Sequence, residues 1–247
     1  MNTLLLTLAG FVLGAVVGSF LAVILIRWPD GRSALGGRSQ CDSCGEKLRP
    51  GELVPILSYL LQRGRCRRCG AAIDSRHLLI ELAAAAIGIV AALAHPFPGA
   101  LATALLGWWL LLIALMDLEY QWLPDRLTLP LLPLGWGVAW IGIGPALQDR
   151  LIGAAMGFLM LWLVAALYKG LRGWEGLGGG DPKLLAAIGA WLGWQPLPFV
   201  LLGAGLLGLA AVLTNWLRGQ KVTGTDRLPL GTLMAIAAWP IWLLIAS

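Results

Sequence analysis

Long apolar runs separated by short polar breaks make up most of the chain, and one extended polar stretch interrupts them near the start. The first run, Leu4–Ile26, holds 23 residues. At 1.5 Å rise per helical residue it crosses a bilayer core of about 30 Å. Seven more runs follow: Leu78–Ala94, about Ala100–Met116, Leu127–Ile143, Leu151–Leu171, Leu184–Trp194, Leu197–Leu217 and Leu228–Ala246. The runs are continuous rather than alternating, which selects helices over a barrel. The pattern predicts an all-α polytopic membrane protein with about eight transmembrane helices. Leu184–Trp194 is short, so a half-span, a tilt or a distorted helix is expected there. Gly10, Gly14 and Gly18 form a small-residue stripe on the first run, suited to close packing by another helix.

The polar stretch, Arg27–Arg76, contains all four cysteines. A segment this small rarely buries enough surface to fold without a staple. The staple is legible as Cys41-Asp42-Ser43-Cys44-Gly45 and Cys66-Arg67-Arg68-Cys69-Gly70, with 21 residues between the pairs. Two Cys-x-x-Cys-Gly turns at this separation suit a four-thiolate tetrahedral site for zinc. Two disulfides are the alternative and require an oxidising compartment. Arg63, Arg65, Arg67 and Arg68 either face thiolates and anionic headgroups or form a solvated face. The expected organisation is a first transmembrane helix over 1–26, a cytosolic zinc-binding domain over 27–77 and a membrane core over 78–247.

Composition sharpens this picture. Hydrophobic residues are 58% of the 247 and charged residues 13%, with a mean hydropathy of +0.79. A soluble domain of this size needs more polar surface. Basic residues flank apolar runs rather than forming a domain of their own, so no nucleic-acid partner is expected; membrane lipid is. When eight spans are threaded alternately, 17 of the 18 Lys and Arg fall on the side of the cysteines, with only Arg150 opposite. The positive-inside rule then puts the cysteine region in the cytosol and the amino terminus outside. Leu4–Ile26 is too long for a signal h-region and lacks a basic start, so it reads as a retained span. The two histidines, His77 and His95, lie at edges of apolar runs without an obvious nucleophile beside them. Serine- and cysteine-hydrolase triads are disfavoured.

Three acids remain. Asp117 ends the apolar sequence Leu110–Met116, where an unpaired carboxylate costs about 2.5–3.5 kcal/mol if central. A helix C-terminus also disfavours negative charge, so Asp117 has no capping role to explain it. Asp181 lies 64 residues later, after Gly178, Gly179 and Gly180 and before Pro182. Asp125 follows Pro124. For Asp125 and Asp181 an N-cap is the alternative to chemistry. The threading puts Asp117 and Asp181 at one membrane edge, where two carboxylates would share a proton and activate a water. Gly178, Gly179 and Gly180 would admit an extended substrate strand, and with Gly176 would make the segment mobile.

Gly178-x-Gly180-Asp181 with Asp117 and Pro124-Asp125 resembles the motifs of intramembrane aspartyl proteases. Together with Gly18-Ser19-Phe20-Leu21, both Cys-x-x-Cys pairs, Arg63-Gly64-Arg65-Cys66 and Glu81, nearly the whole chain resembles the bacterial type IV prepilin peptidases. That resemblance implies a peptidase that removes the basic leader of prepilins or pseudopilins after a glycine, on the cytosolic side. It also implies N-methylation of the new first residue, usually phenylalanine, with S-adenosylmethionine. By motif position it implies Asp117 and Asp181 as catalytic, with Asp125 as runner-up, and Cys41, Cys44, Cys66 and Cys69 as zinc ligands. The chain departs from the family at Gly51-Glu52-Leu53-Val54-Pro55, where Asp-Asn-Ile-Pro is common, and at Ala22, where Asn is common. A transporter using Asp117 and Asp181 as a proton or cation relay is the competing class; it predicts acids at the bilayer centre and an inverted repeat.

Overall fold

The computed structural model describes residues 3–34, 36, 39–41, 43–173, 177–220 and 228–246. Arg38, Asp42, Gly176, Lys221 and Arg227, which figure in the expectations above, lie outside the described residues. The chain forms two compact units, Met1–Trp108 and Trp109–Ser247. Helix is nearly the only regular structure among the described residues; strand-like pairing is confined to two isolated bridges.

The first unit contains α1 (Thr3–Arg27), the polar insert with the short α2 (Leu57–Leu61), α3 (Ser75–Ala94) and the start of α4 (Gly99–Tyr120). Its backbone is the long packing of α1 on α3. Gly10 lies against Gly88, Gly14 against Ala84 and Gly18 against Glu81. A Cβ on Gly18 would stand 2.7 Å from the Glu81 Cα, so the two backbones touch only because the stripe is glycine. Small residues at such a seam replace the hydrophobic effect as the source of association between membrane helices. The opposite side of α1 exposes Leu4, Leu5, Leu8, Val12 and Val16, as a lipid-facing surface requires. Asp74 caps α3, its side chain accepting the Arg76 N–H at 2.9 Å.

The second unit holds the rest of α4 with α5 (Asp125–Trp140), α6 (Leu147–Arg172), α7 (Gly180–Leu192), α8 (Leu197–Leu217) and α9 (Leu230–Ile245). Its hub is α7, which packs against α5, α6, α8 and α9 and is buried from Asp181 to Leu192 except at Lys183. Thirteen residues make a helix of only about 20 Å. That is short for a bilayer, but α7 meets protein on its sides, so its neighbours do the spanning. Gly193, at φ 80°, ends it. Close approach is again made by glycine: a Cβ on Gly153 would fall 2.5 Å from the Gly189 carbonyl oxygen, and one on Gly157 2.5 Å from that of Leu185. Among the described residues five helices, α1, α3, α4, α6 and α8, are long and apolar enough to cross a membrane, and α9 is a shorter apolar helix. The protein is an integral membrane protein.

Arg150, the lone basic residue placed opposite the cysteines, does not present its charge to solvent. It is fully buried, and its guanidinium donates to the carbonyls of Pro145 (2.9 Å), Gly135 (2.5 Å) and Ile143. The same group stacks over Trp242 at 5.5 Å, and Trp242 meets Trp191 edge-on at 5.4 Å. The cation closes the loop between α5 and α6 by satisfying three buried carbonyls at once.

Gly157→Val tests the α6–α7 seam. Forced separation of the two backbones is expected to cost about 1–3 kcal/mol, read as a lower midpoint of thermal unfolding in detergent, while Gly170→Val on the open part of α6 changes it far less.

Candidate active site and metal centre

In the second unit the C-terminal turn of α4 meets the N-terminal ends of α7 and α9. Asp117 and Asp181 are both buried there, at 6% and 8% exposure. Leu123 links their surroundings, standing against Gly180 next to Asp181 and against Gly231 beside Asp117. Asp117 has a partner that the sequence reading missed. Its Oδ2 accepts the backbone N–H of Thr232 at 2.8 Å and the Thr232 hydroxyl at 3.3 Å. Thr232 is the third residue of α9, whose N-cap is Pro229, a residue with no capping side chain. Asp117 therefore caps α9 from another helix, in the positive field of that N-terminus. The unfavourable C-terminal dipole of α4 is offset by the favourable dipole of α9. The Thr232 hydroxyl also reaches the Ala114 carbonyl at 2.8 Å, fixing the last turn of α4 against α9.

Asp181 is not an N-cap. The N-cap is Gly179, α7 begins at Gly180, and Asp181 lies inside the first turn. Its Oδ2 accepts the Gly178 N–H at 3.2 Å, so the Gly-rich turn folds back onto the carboxylate it precedes. None of Gly178, Gly179 and Gly180 has a positive φ; Gly180 is needed for space. A Cβ there would lie 2.6 Å from the Leu123 Cβ. A Cβ on Gly231 would lie 2.9 Å from Leu123 Cδ1 and 3.0 Å from Asp117 Oδ2. Leu123 is thus wedged between the starts of α7 and α9 beside Asp117. Leu123, Gly231 and Thr232 were overlooked as site residues; the Pro229-Leu230-Gly231-Thr232 helix start was the available signal. Gly178 and Gly179 remain exposed, as backbone open to an incoming strand.

Asp125 departs from its expected role. Pro124 is the N-cap of α5 and Asp125 the first helical residue. Its carboxylate is more than half exposed and pairs with Lys183 Nζ of α7 at 2.6 Å. An exposed, salt-bridged carboxylate is a poor proton shuttle beside two buried ones.

The four cysteines converge in the first unit, their sulfurs all within 4.8 Å of one another. The two cysteine turns are structural copies. In each, the glycine after the second cysteine has positive φ (Gly45 69°, Gly70 72°) and donates to the carbonyl of the first cysteine at 2.9 Å. Cys41 N–H reaches the Glu46 carbonyl and Cys66 N–H that of Ala71, while Gln40 bridges Lys47 and Arg65 bridges Ala72. Both hairpins present backbone N–H groups to sulfur; those of Cys69 and Arg68 pull the Cys66 thiol down to about 7. All four thiols are free, and Cys41 and Cys69 sulfurs lie 3.9 Å apart. About 3.8 Å is the edge of a tetrahedron with metal–sulfur bonds of about 2.3 Å. The cluster could therefore hold a metal ion, and its four thiols are unpaired by disulfides in this structure.

Family models match both parts of the chain: the bacterial peptidase A24 N-terminal domain over residues 12–95 and the type IV leader peptidase family over residues 104–213. Among curated relatives, one named prepilin leader peptidase/N-methyltransferase from Pseudomonas aeruginosa is 41% identical, over 96% of this chain and 90% of the relative. One of the same name from Burkholderia pseudomallei is 43% identical, over 91% of this chain and 81% of the relative. A third, from Dichelobacter nodosus, is 43% identical, over 81% and 69%. No solved structure matches the chain.

Replacing Cys66 by Ser is expected to abolish stoichiometric metal in the purified protein, measured by elemental analysis, and to lower its unfolding temperature. Because the ligands bind as thiolates, acidification well below the range of free thiols is expected to release the metal, since protons compete for the same sulfurs.

Proposed function

Because the chain belongs to the type IV leader peptidase family, we propose that it is a membrane aspartyl endopeptidase whose catalytic pair is Asp117 and Asp181, acting on prepilins or pseudopilins. The observation that carries this reading is the burial of two carboxylates, drawn from separate helices, at one end of the second unit. Such a pair holds one proton between two sites. One carboxylate takes a proton from the attacking water as the new C–O bond forms at the scissile carbonyl. The other, protonated, donates to the carbonyl oxygen. The tetrahedral intermediate then collapses as the C–N bond breaks and the leaving amine takes the proton. Thr232 holds the Asp117 carboxylate in place through this exchange, and the exposed backbone of Gly178 and Gly179 offers pairing to an extended leader. The titration belongs to the pair, so neither residue alone is named acid or base.

The charge distribution of the sequence supports the orientation: the cysteine region and this site in the cytosol, in the inner membrane, so that cleavage meets leaders before translocation. Residues 27–77 are the metal-binding domain and 78–247 carry the peptidase core. Zinc is the metal we assign to Cys41, Cys44, Cys66 and Cys69, where it supplies a structural crosslink. Methylation of the new amino terminus uses S-adenosylmethionine, which supplies an electrophilic methyl group. Family membership favours this reading over a proton- or cation-coupled transporter.

Co-expression with a prepilin, followed by weighing of the product, reports leader loss and methyl gain together. Asp117→Asn and Asp181→Asn are each expected to lower cleavage at least about 10³-fold while the protein still inserts. Asp125→Asn, which breaks only a surface ion pair, should retain cleavage within roughly tenfold. Full processing by either buried-acid variant contradicts the pair.

A further inference from the structure

In the second unit one leucine borders the surroundings of both acids. Leu123 lies in the short segment 121–124 between α4 and α5. Its Cδ1 methyl stands 3.3 Å from where a Cβ on Gly180 would be and 2.9 Å from where one on Gly231 would be. Gly180 precedes Asp181, and Gly231 precedes the Thr232 that holds Asp117. A methyl group on Gly231 would meet Leu123 Cδ1 and, at 3.0 Å, Asp117 Oδ2 as well. Carbon atoms pack at about 3.5–4.0 Å. Leu123 and the Asp117 carboxylate therefore face one space too narrow for a methyl group.

The chain fixes this leucine from both sides. Gln121, at φ 49°, closes the end of α4 with its N–H on the Asp117 carbonyl at 2.9 Å. Pro124 follows Leu123, and its ring keeps the residue before it out of the helical region. Pro124 is itself buried, and its carbonyl accepts the N–H groups of Leu127 and Thr128 at the start of α5. The Leu123 side chain is only half-buried, so part of it remains accessible. A peptide cleaved by the acid pair must bring its scissile carbonyl within hydrogen-bond reach of both carboxyls, alongside Leu123. A Cβ on the residue that supplies this carbonyl lies about 2.5 Å from the carbonyl carbon, nearer than any other side-chain atom of the peptide. It is the first atom to be crowded.

We propose that Leu123 is the specificity-determining residue of the peptidase: its side chain fills the space that a side chain before the scissile bond would need, so that only glycine fits there. The assignment rests on the acid-pair reading of the proposed function and gives a physical cause for the glycine that the sequence resemblance implies. Gly180 and Gly231 make room for Leu123, and Leu123 leaves no room for a substrate methyl.

The test compares kcat/KM of the full chain on a prepilin with glycine before the scissile bond and on the same prepilin with alanine or valine there. The wild type is expected to reject alanine by roughly 10–200-fold, the range that one added carbon commands in a close-fitting pocket, and valine more strongly. Leu123→Ala is expected to narrow the glycine-to-alanine ratio at least about fivefold, and Leu123→Val, which keeps more of the side chain, to narrow it less. Each ratio is taken within one preparation, so a lower folded fraction leaves it unchanged. The wild-type ratio in both variants, or a wild type that cleaves the alanine substrate as fast as the glycine one, overturns the assignment. Loss of cleavage of every substrate by both variants in folded protein also overturns it, because Leu123 would then support the acids rather than select the substrate. Full processing by Asp117→Asn or Asp181→Asn removes the acid pair and this assignment with it. Inactive aspartate variants together with an unchanged ratio in the Leu123 variants remove Leu123 alone.

Discussion

A carboxylate at the wrong end of one helix is held by the right end of another. Asp117 stands in the last turn of α4, where backbone carbonyls point toward it, yet its Oδ2 takes the N–H of Thr232 at the start of α9. Helix dipole effects are worth about 0.3–1 kcal/mol at a surface and more in partly buried geometry. Here one contact satisfies an orphan donor of α9, orients the acid and ties two helices that are far apart in sequence. The proline start of α9 is what makes it necessary, since Pro229 brings no side chain to cap the helix itself.

That contact is useful only if Asp181 arrives at the same place, and packing around α7 brings it there. The helix is too short to cross a bilayer alone, so its position is set by the helices around it. Glycine seams against α6 let it lie deep in the second unit, and Gly180 lets its first turn close onto Leu123. At its other end, Trp191 is fixed by the Leu131 carbonyl and by Trp242, beneath the Arg150 guanidinium. A helix pinned at the far end and crowded by glycine contacts along its length has little freedom to move its acid.

Much of this was legible in the sequence. All eight apolar runs became helices, with ends displaced by a few residues, because continuous hydrophobicity in lipid leaves the backbone no other way to satisfy itself. The cysteine turns were legible because Cys-x-x-Cys-Gly encodes a local turn whose glycine takes positive φ. The α1 glycine stripe read correctly as a packing face, although its partner on α3 could not be named from spacing. What was missed is non-local. Thr232 meets Asp117 across 115 residues, and nothing in the local pattern of either links them. Capping roles for Asp125 and Asp181 followed from good local rules, but the N-caps proved to be Pro124 and Gly179. Arg150, the one exception to the charge threading, is a buried staple.

Two compact units also account for the shape of the sequence. The polar insert folds around a four-cysteine cluster that could hold a metal ion, whereas the second unit folds around α7. The central claim is that Asp117 and Asp181 act as one acid–base pair sharing a single proton. The pH dependence of kcat/KM for leader cleavage by the intact enzyme tests it most directly. The account predicts a bell, with activity lost on one side when both carboxyls are protonated and on the other when both are ionised. A profile with a single ionisation, or none, across the carboxylate range contradicts it.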